Sequence, residues 1–175
     1  MDKIAEYKAL RATIRERGTA RMCLILTGLI AWAVLTLALN ASEFERAAAL
    51  VPFTVLAATF EISFFIHTGV ERVGRYLQVF YEEGEGWEST IMAYARNHPG
   101  GGTHPLFVTL FALIALVNFA AALPTAARHP GWIGISLVAH VAFGWRIVSA
   151  RQRAGLQRAV DLDRFRLLKN APPSN

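Results

Sequence analysis

Long apolar runs alternate with short, charge-rich ones along this chain. The alternation predicts four helices able to cross a bilayer: residues 22–39, 47–70, 106–123 and 132–148. Each approaches the roughly 20 residues that cross about 30 Å of hydrocarbon. The polar segments are also helical in pattern. In residues 2–19, Ile4, Tyr7, Leu10 and Ile14 recur three to four positions apart, which marks an amphipathic helix that Gly18 is expected to interrupt. In residues 151–169, Leu156, Val160, Leu167 and Leu168 sit among basic residues, predicting a second amphipathic helix before APPSN.

Span two has no clear end. Between residues 53 and 82 there is no proline, and the only glycines are Gly69 and Gly74. A helix from about 47 to 82 is about 54 Å long, well beyond the hydrocarbon, so its second half should leave the membrane. EEGEG is expected to stop it, followed by a short helix from Trp87 to Arg96 and a loop, NHPGGGTHP, into span three. The fold expected is all-α. It is a four-transmembrane-helix bundle in a single integral membrane domain over 1–175. Its second helix extends into the cytoplasm, and amphipathic cytoplasmic helices lie at both termini.

Charge adds an orientation. The 175 residues are 54% apolar yet carry 18 Lys and Arg. All but Arg46 and Arg128 fall before span one, between spans two and three, or from Arg146 onward. Lys and Arg concentrate on the cytoplasmic side of membrane proteins, so both termini should face the cytoplasm of an inner or plasma membrane. Topology and anionic lipid at the cytoplasmic face account for the basic balance, so nucleic acid is not an expected partner. The first span is longer than a signal-peptide core and no clean cleavage site follows it. Cys23 is the only cysteine, which excludes an intrachain disulfide.

Ionisable residues stand inside the predicted spans: Glu61 and His140 near mid-span, and His67 and Arg146 near the span ends. The apolar residues from Leu50 to Val70 supply roughly −3 to −7 kcal/mol against about +3 for one central charge, so span two inserts despite Glu61. Glu61 and His140 are expected at comparable depth, where they could hydrogen-bond. Such a pair would serve as a proton- or ion-handling site or as a clamp between helices. Asn118, Thr59, Ser63 and Thr27 are alternative partners for the acid, as is an oligomer neighbour. At the membrane boundary, His67, Glu71 and Arg75 share a helix face, with Arg72 beside them. The plain expectation is a Glu71–Arg75 ion pair with His67 interfacial, since two metal ligands do not make a site. Glu82, Glu83, Glu85 and Glu88 form an acidic cluster that could pair with arginines of the terminal helices. His98 and His104 flank a glycine run that lacks the features of a phosphate loop. No catalytic motif is present, and no metal or cofactor is expected.

The motif Tyr7, Leu10, Arg11, Ile14, Arg17, combined with Arg72, Gly74, Arg75, Tyr76 and then Gly86, Trp87, Glu88, resembles a group of uncharacterised small bacterial and archaeal four-span integral membrane proteins. The resemblance implies the fold and no chemistry. Two functions remain in view. One is a non-enzymatic membrane scaffold or adaptor whose cytoplasmic helices bind a protein partner or another copy. The other is a small proton- or ion-coupled transporter or channel subunit using Glu61 and His140.

Overall fold

The computed structural model describes residues 2–41, 50–82, 85–98, 106–126 and 130–171. Among them every regular element is helical: α1 (Lys3–Ala41), α2 (Leu50–Phe80), α3 (Trp87–Asn97), α4 (Leu106–Ala126) and α5 (Pro130–Asn170). Three helices, α1, α2 and α5, are long and apolar enough to cross a membrane, and α4 contains a shorter apolar stretch, Val108–Leu123.

Two expected boundaries are not breaks. Gly18 lies inside α1, and the tail from Arg151 continues α5. A single glycine in a helix costs about 1 kcal/mol relative to alanine, and the helix formers on either side of Gly18 carry it. A change from apolar to charged composition alters what a helix can touch, not whether its backbone bonds form.

The chain divides into two compact units. Unit 1 is Met1–Ala20, Phe65–His104 and Gln152–Asn175, and unit 2 is Arg21–Phe64 and Pro105–Arg151. Unit 2 is built on aromatic packing. Phe60 is buried and meets Phe111 and Phe143 edge-on, with centroids 5.3 and 5.6 Å apart. Leu56, Ile25, Ala115, Ile147 and Ala150 complete this core. The outward-facing side chains are equally apolar, among them Leu26, Ile30, Val34, Leu116, Val138 and Val141. Helices that are apolar inside and out suit a lipid surround.

Within unit 2, α1 approaches α2 at Gly28. A Cβ there would overlap the Thr59 side chain, whose own Cβ would stand 2.9 Å away. Small residues permit such backbone approach between membrane helices. Gly28→Val is therefore expected to cost about 1–3 kcal/mol through overpacking. The check is the unfolding temperature of the detergent-solubilised protein. Thr59→Ala should rescue it only in part, because the Cβ contact persists.

Unit 1 has a small apolar interior around Leu77, Val79 and Met92. Tyr76 packs on Phe80 and Phe165, with centroids 4.6 and 5.7 Å away, and Tyr7 on Tyr81 at 5.7 Å. Its distinctive content is buried charge.

Candidate functional site in the charged interior of unit 1

The first cluster centres on Arg75. α2 turns this side chain inward, where Nη1 donates to Asp161 of α5 at 2.7 Å and Nη2 to Glu71 at 3.0 Å. The Arg75 and Asp161 side chains are 7% and 6% exposed. Arg72 Nε stands 3.6 Å from the same carboxylate, and Gln157 donates to its other oxygen at 2.9 Å. Burial alone would raise the Asp161 pKa. The bonds from Gln157 and Arg75, with the charges of Arg75 and Arg72, outweigh burial and hold it below the usual carboxylate value.

The second cluster centres on Arg11 of α1. Its guanidinium bridges Glu82 at 2.8 Å and Glu88 at 2.7 Å, while Nε donates to the Tyr7 hydroxyl at 3.1 Å. Glu82 is buried, and its other oxygen accepts the backbone N–H groups of Glu88 and Ser89 at 2.8 and 3.1 Å. It thus supplies the cap that Gly86, at the N-cap position of α3, cannot provide. Gly86 has extended backbone that any residue adopts (φ −109°, ψ 179°). It is needed for space, since a Cβ there would overlap the Glu82 carboxylate.

Elsewhere in unit 1, Glu6 accepts from the Tyr76 hydroxyl at 3.3 Å. Burial, then Glu6, raises the Tyr76 pKa. Lys169 donates to the Val79 carbonyl at 2.9 Å, in the last turn of α2, where a cation opposes the helix dipole.

In unit 2 the sequence-predicted pair is not formed. Glu61 accepts from Arg146 Nη2 at 2.7 Å. His140 instead joins a neutral chain. Trp32 Nε1 donates to Asn118 Oδ1 at 2.8 Å, which turns the Asn118 amide nitrogen toward His140 Nε2 at 3.1 Å. Nε2 is then an acceptor, so Nδ1 carries the proton and donates to the Ser136 carbonyl at 2.7 Å. The correction has a geometric cause. The ring level with His140 is Phe53, 4.4 Å away, so the depth match assumed for Glu61 was off by eight residues of α2, about 12 Å.

The acidic cluster divides. Glu82 and Glu88 meet Arg11, Glu85 makes a turn through its N–H to the Glu82 carbonyl at 2.8 Å, and Glu83 lies outside the described residues. The Glu71–Arg75 ion pair is present, and Arg75 is the centre of a buried cluster. His67 lies partly exposed on α2. His98 stacks on Tyr94, and His104 lies outside the described residues. Among the described residues there is no group of three metal-ligating side chains.

Sequence reasoning missed Asp161, Arg146 as the partner of Glu61, and Trp32. The Gln157–Asp161 spacing of four was available as a signal. So was the presence of one acid and one guanidinium in two predicted spans. The motif residues Tyr7, Arg11, Gly74, Arg75, Gly86 and Glu88 converge in unit 1, and Glu88 Oε2 would lie 3.0 Å from a Cβ at Gly74. No protein-family model matches the chain, and neither a curated protein nor a solved structure does.

Proposed function

We propose that the chain is a four-span integral membrane protein, with both termini cytoplasmic, that acts as a non-enzymatic scaffold through the helices of unit 1. The observation that carries this reading is a row of exposed apolar side chains on one face of α5, interrupted by the exposed Asp163. Leu156 is 73% and Leu167 72% exposed, with Val160 between them on the same face. Ile4, Trp87 and Leu168 add exposed apolar area to the same unit. A buried ionic interior that leaves large apolar side chains exposed among charged ones suits a rigid platform for another protein.

The length of α5 favours protein over lipid as the cover. Forty-one residues make a helix of about 62 Å, twice the hydrocarbon thickness. With the span ending near Val148, Leu156 lies about 12 Å and Leu167 about 28 Å further along the axis. An unbroken helix cannot fold back to lay that stripe on the bilayer. Arg151 and Arg153, nearest the span, are the residues placed to meet anionic lipid. The resemblance to small four-span membrane proteins belongs to the same proposal.

The test is the mass of the intact complex extracted in mild detergent. A species heavier than one 19.3 kDa chain is expected. Leu156→Glu with Leu167→Glu should reduce it, while a monomeric wild type would end the scaffold reading. The transport alternative predicts a pH-dependent proton flux in liposomes that Glu61→Gln abolishes. On the scaffold reading both proteins give the flux of protein-free vesicles.

A further inference from the structure

The Glu61–Arg146 pair is placed where neither charge is sealed. Both residues belong to candidate spans, and their side chains are 46% and 35% exposed. Arg146 Nη2 uses one carboxylate oxygen, while Glu61 Oε1 has no hydrogen bond among the described residues. The guanidinium lies 5.9 and 5.3 Å from the Phe60 and Phe64 ring centres. One side of it is thus aromatic; Nη1 is buried without a hydrogen bond among the described residues, and the rest of the side chain is partly exposed. Along the same stretches of the two helices the exposed side chains are apolar or small: Thr54, Ala58, Ile62 and Phe65 of α2, Val141, Ala142 and Trp145 of α5. Hydrocarbon offers no hydrogen bonds, and a charged group at its surface is costly.

We infer that a second copy of this chain docks on this face within the bilayer, the Glu61 carboxylate of each copy meeting the Arg146 guanidinium of the other. Charge complementarity selects the occupant. The patch carries one acid and one base side by side, so a two-fold axis through it places opposite charges together. A lipid phosphate would satisfy Arg146 but repel Glu61. Thr54 and Ala58 are four apart on α2, small enough for a neighbouring helix backbone to approach closely. The inference rests on the membrane-scaffold reading and names its partner as the chain itself, through a surface distinct from the α5 stripe.

Cross-linking in vesicles tests it. Cys23→Ser removes the sole thiol, and Ala58→Cys or the control Leu116→Cys, exposed on α4, supplies a new one. In pure phosphatidylcholine under oxidation, Ala58→Cys should form covalent dimer about tenfold more than the control, the scale of a 1–2 kcal/mol membrane helix association. Adding Glu61→Arg should bring the yield down to that of the control. Adding Glu61→Arg together with Arg146→Glu preserves the intrachain pair, and hence the fold, and should restore dimer. Equal yields from the two cysteines would overturn the inference. So would dimer that forms only when anionic lipid is added, which would make the headgroup the ligand. If Ala58→Cys fails while the wild-type complex keeps its mass and the stripe variants reduce it, only this inference falls and the scaffold reading stands.

Discussion

Asp161→Ala is expected to loosen unit 1 by about 3–5 kcal/mol, because it leaves the Arg75 guanidinium buried and short of its nearest carboxylate. Glu71 remains, but it is an exposed-side partner on the same helix and cannot tie α2 to α5. Amide exchange at Leu77 should accelerate by roughly two to three and a half orders of magnitude, since each 1.4 kcal/mol is tenfold. The same pair gives a pH dependence. Asp161 has a folded pKa below its unfolded value of about 3.9, so its stabilisation is complete above that value. It is lost as pH falls through the folded value. Stability contributed by this group should therefore be flat from pH 7 to about 5 and fall below about 4. Asp161→Asn should remove that acid limb, at the cost of a lower plateau. A variant that retains the wild-type acid limb would show that another carboxylate governs it.

Glu82→Ala is expected to cost about 2–4 kcal/mol, concentrated at the start of α3. A helix cap contributes about 0.5–2 kcal/mol and a hydrogen bond to a charged group about 1.5–3, and the two overlap here in one carboxylate. Arg11 would retain Glu88, so the N-terminal part of α1 should stay attached while the Glu88 and Ser89 N–H groups lose their acceptor. Exchange at Met92 should quicken more than exchange at Leu77. Gly86→Ala should reproduce the effect with the acid still present, because the added carbon displaces the carboxylate. If Gly86→Ala leaves α3 as protected as in the wild type, the close approach is unimportant.

The helices were legible because apolar length and a period of three to four are local properties. Residues 106–123 and the pattern through Ile4, Tyr7 and Leu10 needed nothing distant to be read. Partners were less legible, because they depend on register. Glu61 and His140 were both visible as polar groups within apolar spans, yet an error of eight residues along α2 separated them. His140 joined Asn118 and Trp32, and Glu61 found Arg146. Asp161 was hidden by its neighbours: in a tail with Arg151, Arg153, Arg158, Arg164 and Arg166, a net-charge reading absorbs one acid into the background. The residues of the Arg11 and Arg75 motifs were picked out as a resemblance, but the pattern alone gave no contacts. The break expected at Gly18 shows the limit of punctuation signals, since one glycine weakens a helix without ending it.

Asp161 and Arg75 are 86 residues apart in the chain. At a synthesis rate of about 5–20 residues per second, Arg75 is made roughly 4 to 17 s before its carboxylate exists. Arg11 similarly precedes Glu82 by 71 residues. Through that interval Arg75 has Glu71 of its own helix as an acid partner but lacks Asp161, and Arg11 lacks Glu82 and Glu88, so neither guanidinium can be fully buried early. Unit 1 therefore closes in the order of its acids. The Arg11–Glu82 cluster can form while the chain is still growing, and the Arg75–Asp161 cluster waits for the last segment. Biogenesis of this protein should accordingly pass through an intermediate with α3 already capped and α2 still wet along its Arg75 face.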